Sequence, residues 1–345
     1  MREIGSEFWD VPVKAEPGEA LFPAQTNWYL SGRTALNAIL DHILAQGGCR
    51  TAALPSWCCD SMIKPFTDHG IEVFFYPVYL NDDHRLVQDL NSTEACDIAM
   101  VLDYFGFRSE AQNAGAHKIV IRDLTHAVFS DVPADADYYF GSTRKWAGVW
   151  TGGFAWAKNG ALPKAAPSDE LHPYIAARKN AMMQKKQYIK EAENGEKPFL
   201  EKFGFAEEWL DDNTEVLGAA ERDIAAVKQL DAALIRKKRR ENAAYLLERI
   251  GMYAFRSELR PQDCPLFVPA FFPHEMRNAL RSFLIGQQIY CPVHWPVTAH
   301  HRLTQVTQKL YDEELSIICD QRYDLLDMER ICDAVVSFVN SYKGA

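Results

Sequence analysis

Much of what would place this chain in a simple class is missing. Its eight cysteines form no CxxC pair and no zinc-like spacing, and at 345 residues the chain is too large to need disulfide staples. Reduced thiols and a cytoplasmic location are therefore expected. No apolar run approaches a membrane span, and the opening MREIGSEFWD has no signal-peptide core, so neither membrane insertion nor secretion is indicated. Positive charge is in deficit: 37 Lys and Arg stand against 47 Asp and Glu, a net charge of -10. That argues against a general affinity for nucleic acid or anionic lipid. The exception, Arg236-Lys237-Lys238-Arg239-Arg240, lies in a helix-like stretch and reads as a solvated face. No GxGxxG follows any strand-like run, which makes a nicotinamide-binding domain a poor fit.

What is present is strand and helix in alternation, with 48% hydrophobic content to build a sizeable core. Thr51 to Leu54, Ile71 to Val78, Asp97 to Tyr104, Ile119 to Ile121 and Asp137 to Phe140 are strand-like runs. This pattern predicts an α/β fold with a doubly wound, mostly parallel sheet. Leu36, Ile39, Leu40, Ile43 and Leu44 have helical spacing, with Gly47-Gly48 as a stop. Leu217 to Ile250 reads as a long helix, broken once, crossing to a second lobe. There Leu266 to Val268 and Ile289-Tyr290 are strand-like around a helical Glu275 to Leu284, and Leu326 to Asn340 is amphipathic, a smaller C-terminal α+β lobe. The expected division is an arm over 1–24, a large domain over 25–235 and a small domain with its connecting helix over 236–345. Pro12, Pro17 and Pro23 suggest that the arm packs on the surface or on a partner subunit.

The chemistry concentrates in Asp123 to Gly153, DLTHAVFSDVPADADYYFGSTRKWAGVWTGG. Ile119 to Ile121 would deliver Asp123 to the carboxyl edge of the sheet, where open α/β sheets bind ligands. A second strand leads into Ser142-Thr143-Arg144-Lys145, followed by the return Thr151-Gly152-Gly153. A lysine attacks a carbonyl only as the free amine, and burial or a neighbouring cation such as Arg144 lowers its pKa, so Lys145 is a candidate for Schiff-base chemistry. Pyridoxal phosphate (PLP) uses a lysine in this way and needs an acid at its ring nitrogen, a role open to Asp123. Ser142 could donate to the phosphate. Ser31-Gly32 opens a helix, either as a plain cap or as a phosphate site with Arg33 and Thr34. Arg322 could clamp a substrate carboxylate or form an interface ion pair.

In order along the chain, Ser31-Gly32-Arg33-Thr34, Pro55-Ser56-Trp57, Asp123-x-x-His126, Ser142-x-x-Lys145 with Gly152-Gly153, and Tyr290-Cys291-Pro292-Val293-His294 resemble the motifs of the fold-type-I PLP-dependent enzymes, nearest the DegT-like sugar aminotransferases. The resemblance covers roughly residues 25 to 335. It implies an aminotransferase with PLP held by Lys145 and Asp123, His126 near the phenolic oxygen of the cofactor, Trp57 or the position of Cys59 stacking on its ring, and Gly32, Arg33, Thr34 and Ser142 around its phosphate. It further implies small-molecule substrates, glutamate as donor, a nucleotide-linked keto sugar as acceptor, and a homodimer. Tyr104 and His294 could face substrate or merely pack. Residues 160 to 215 depart from the family and contain no Tyr-Asn-x-Arg element. A lyase, decarboxylase or desulfurase, and a non-catalytic regulatory module on the same fold, remain as alternatives.

Overall fold

The computed structural model describes residues 3–14, 20–191, 196–254 and 258–343. Seven strands form the main sheet in the order 27–29, 153–157, 138–142, 119–123, 98–102, 51–55 and 72–76. Neighbours from Tyr138–Ser142 through Glu72–Tyr76 pair in parallel, and only Gly153–Ala157 runs against the rest. Ile98–Leu102 and Tyr138–Ser142 are buried along their whole length, as the central strands of a sheet covered on both faces must be. Their carboxyl ends, together with that of Ile119–Asp123, open on one edge.

The helix Gly32–Gln46 packs on this sheet through Leu36, Ile39, Leu40 and Ile43. It starts with a reciprocal cap in which Ser31 Oγ accepts from Thr34 N–H at 3.2 Å and Thr34 Oγ1 accepts from Ser31 N–H at 2.8 Å. Its first turn presses on the glycine return, because a Cβ at Gly153 would strike the Ser31 backbone. The crossing helix is broken once: Glu221–Lys228 is followed by Ala232–Ile250, which Asp231 restarts by accepting from Leu234 N–H at 3.0 Å.

In the C-terminal lobe, Phe267–Phe271 pairs antiparallel with Glu314–Ile318 under the helices His274–Gly286 and Leu325–Lys343. The arm departs from expectation. Ile4–Gly5 pairs in parallel with Ile289–Tyr290, and Ile4 is fully buried in the core of this lobe rather than lying on the surface. Apolar burial of that one side chain, together with the Tyr323 hydroxyl accepting from Gly5 N–H at 2.8 Å, holds the segment in place. Pro17 lies outside the described residues. Residues 160 to 215, polar in sequence, contain two packed helices, Pro173–Glu191 and Phe199–Asp212, with a small core of their own around Tyr174, Met182, Phe203 and Leu210.

Candidate active site

The carboxyl edge of the sheet, the arm, the two helices of 173–212 and the C-terminal lobe enclose a cavity of about 670 Å³. Asp123, Ser142, Arg144 and Lys145 line it from the sheet, and Ser31, Gly32 and Arg33 from the start of the first helix. Gly32 and Ser142 close on each other: a Cβ at Gly32 would stand 3.4 Å from Ser142 Cβ. The helix start and the serine thus form one concave surface at a helix N-terminus, where first-turn N–H groups have no intrahelical partner.

Lys145 Nζ lies 3.0 Å from His126 Nε2. Phe105 N–H donates to His126 Nδ1 at 3.4 Å, so the neutral ring carries its hydrogen on Nε2 and donates it to Nζ. Burial holds His126 well below its ordinary pKa and keeps it neutral. An amine that accepts a hydrogen bond has a lone pair. Burial, aided by Arg144, lowers the Lys145 pKa in the same sense, against the pull of Cys59 and Asp123. Asp123 is 3% exposed; burial pushes its carboxyl up to about 6 even though Thr125 N–H donates to it at 2.7 Å. The cavity thus holds an acid and a base, each displaced from its ordinary pKa toward neutrality.

Not every expected residue reaches the wall. Trp57 is fully buried behind it, stacked on Tyr104 at 5.1 Å with its indole N–H on the His294 carbonyl at 2.9 Å; Cys59, two residues on, lines the cavity instead. This corrects the stacking role for Trp57: its face and its polar edge are already used. Tyr104 is likewise withdrawn, its hydroxyl donating to the Trp57 carbonyl at 2.5 Å, and Asp103 pairs with Arg122 at 2.9 Å. Thr34 spends its hydroxyl on the helix cap, and His126 stands behind Lys145. Arg322 and His294 do line the cavity. The Nε and Nη2 of Arg322 grip Asp320 at 2.9 and 2.8 Å and its other edge binds the Ser6 and Glu7 carbonyls, so the bidentate fork is not open to a substrate carboxylate.

Several lining residues carried no readable signal. Arg178, 1% exposed, meets Glu207 at 3.3 Å and Glu7 at 3.4 Å, and Arg144 meets Glu207 at 2.7 Å. Burial would raise the Glu207 carboxyl, but the two arginines outweigh it and bring it down to about 2. Arg239, in the basic cluster read as solvated, is fully buried, lies 4.3 Å above the Trp146 ring and donates to the Pro265 and Leu266 carbonyls.

No family model matches the chain, and no curated protein matches it. Solved structures do. PseC of Helicobacter pylori, an aminotransferase involved in the biosynthesis of pseudoaminic acid, superposes with a TM-score of 0.63 at 12% identity, over 97% of this chain and 100% of that one. The sugar aminotransferase CalS13 of Micromonospora echinospora gives 0.59 at 14% identity, over 91% and 87%. The chain has the fold of the sugar aminotransferases. A third structure with this fold, NtdA of Bacillus subtilis with bound cofactor PMP, gives 0.62 at 14% identity, over 91% and 73%.

The residues that this sugar-aminotransferase fold presents here fit such a cofactor. A lysine amine with a lone pair and a buried carboxyl suit its aldehyde and its ring nitrogen. Gly32 opposite Ser142 leaves the cradle that a phosphate needs, and Arg33 and Arg144 each bring to that wall a buried Nε without a hydrogen-bond partner.

Proposed function

We propose that the chain is a PLP-dependent aminotransferase that moves an amino group from an amino acid, glutamate, to a keto acceptor of the nucleotide-linked sugar class. The observation that carries this reading is Lys145 Nζ at 3.0 Å from His126 Nε2, in one cavity with the buried Asp123. Bound PLP would supply an electron sink for the carbon that gains or loses the amino group. Lys145 Nζ would take the proton from that carbon and return it, a role favoured by the lowering of its pKa on burial. Asp123 holds the proton on the ring nitrogen. Ser31, Gly32 and Ser142, with Arg33 and Arg144, bind the phosphate through N–H, hydroxyl and guanidinium groups. Lys and Arg outnumber Asp and Glu on the cavity wall although the whole chain is acidic, which supports an anionic acceptor.

The reading includes a homodimer, supported by exposed apolar side chains on or beside the two helices of 173–212: Leu171, Met183, Leu200 and Phe205. A desulfurase draws no support from Cys59, whose thiol is held above its ordinary pKa by burial. The deciding experiment is the visible spectrum on addition of PLP. Wild type should develop a band that Lys145→Ala lacks, and glutamate should bleach it. A wild-type protein without the band would overturn the proposal.

A further inference from the structure

His294 lines the cavity opposite the sheet, and the reaction above gives it no task. It is 6% exposed, its ring 5.4 Å from that of His126 and 5.3 Å from those of Phe105 and Phe267. Burial holds it well below its ordinary pKa, so the ring is neutral. Its Nδ1 is 2.9 Å from Ser316 Oγ, and Ser316 Oγ is 2.5 Å from Glu314 Oε1. The other oxygen of Glu314 accepts from His294 main-chain N–H at 2.8 Å. Glu314 and Ser316 stand two apart on one strand, hence on one face, and both are fully buried. Arg277, whose Nη1 lies 3.5 Å from the Glu314 carbonyl, is a cation whose charge acts on the carboxyl. Burial dominates and pushes Glu314 up to about 8, so it is neutral at pH 7.

Two arrangements of hydrogen follow. With Glu314 neutral, its O–H donates to Ser316, the Ser316 hydroxyl donates to Nδ1, and the ring hydrogen stands on Nε2, the other ring nitrogen of a residue that lines the cavity. With Glu314 ionised, Ser316 donates to the carboxylate, Nδ1–H donates to Ser316, and Nε2 offers a lone pair.

We propose that Glu314, Ser316 and His294 form a proton relay, with Glu314 as its reservoir, that delivers a proton from His294 Nε2 to the departing oxygen of the keto acceptor. This rests on the aminotransferase reading, in which replacing a ketone oxygen by an amino group expels that oxygen as water and so requires protons at it. One proton crosses each link: Nε2–H goes to the acceptor oxygen, the Ser316 hydrogen to Nδ1, and the Glu314 hydrogen to Ser316. The net transfer is one proton from Glu314 to substrate. Run backwards, the same relay recovers it.

The test has two arms. Nitrogen-15 NMR of histidine-labelled, cofactor-free protein should show the His294 hydrogen moving from Nε2 to Nδ1 as pH rises through about 8. In Glu314→Gln, whose amide donates permanently to Ser316, it should stay on Nε2. The rate with a keto-sugar nucleotide should fall about a hundredfold or more in Glu314→Gln, the scale of general acid catalysis, with the PLP band at Lys145 unchanged. A His294 ring insensitive to pH, or a Glu314→Gln rate and pH profile matching wild type, overturns the relay. Should Glu314→Gln fail to fold, Ser316→Ala cuts the same link and should uncouple the ring from pH. Absence of a PLP band would sink the aminotransferase reading and with it the acceptor, while the first arm, which needs no cofactor, would still decide whether Glu314, Ser316 and His294 are coupled.

Discussion

At the scale of single residues, the site stores cost in its ionisable groups. The unfolded chain releases the Asp123 proton near 3.8 and the folded chain near 6, so the folded state binds it more tightly. The contribution of Asp123 to stability is therefore fully present below 3.8 and is lost as pH rises through 6. The loss above that pH is about 3 kcal/mol by the usual conversion of pKa into free energy. Asp123→Asn should accordingly raise the stability of the cofactor-free protein at pH 8, with no gain at pH 3.5, while slowing the reaction of the PLP-loaded protein with glutamate. Denaturant titrations at the two pH values decide it. An Asn variant less stable than wild type at pH 8 would show that the carboxylate is compensated by contacts stronger than the Thr125 hydrogen bond.

At the scale of elements, one helix start serves two purposes. Ser31 caps Gly32–Gln46 and also stands on the cavity wall. Ser31→Ala should cost about 1 kcal/mol of stability, the ordinary worth of such a cap. If the wall binds the phosphate, it should also raise the dissociation constant for PLP while leaving that for pyridoxal, which has no phosphate, unchanged. Equal affinity for PLP in variant and wild type would limit Ser31 to capping. The break at 229–231 is likewise a local matter: Asp231, able to cap, restarts the helix where Leu230 turns inward. Arg239, the eighth residue of that restarted helix, is placed by packing rather than by local pattern. Its neighbours in the basic cluster face solvent to varying degrees, yet helical periodicity turns Arg239 toward Trp146 and two carbonyls.

At the scale of the whole molecule, charge and apolar surface are distributed unevenly. A cavity rich in arginine and lysine within a chain of net charge -10 should bind an anionic acceptor less tightly as salt rises, seen as an increase in KM with little change in kcat. A KM indifferent to ionic strength would indicate a neutral acceptor. Met183 and Phe205, on the outer side of the two helices of 173–212, should be covered in a homodimer. Light scattering of Met183→Asp/Phe205→Asp should then report a monomer where wild type is a dimer. A wild-type monomer would remove the dimer from the proposal and leave a cavity closed by one chain.

The sequence by itself determined the sheet, its parallel sense, the broken crossing helix and the strand ends that carry Asp123 and Lys145. Those features follow from short-range causes: β-branched runs, helical spacing, caps and glycine turns within a few residues of where they act. The Ser31 cap and the Ser142 to Lys145 spacing were legible for the same reason. Only the tertiary structure decided which side chains share the cavity. Trp57 and Tyr104 sit at the predicted strand ends but turn away from it, because Trp57 donates to the His294 carbonyl and Tyr104 to the Trp57 carbonyl. Arg178, Glu7 and Arg239 enter it from segments whose sequences carry no motif, and Glu314 reaches His294 only because two strands and a loop of the C-terminal lobe converge. Contacts between residues far apart in the chain depend on packing of the whole, which no local pattern encodes.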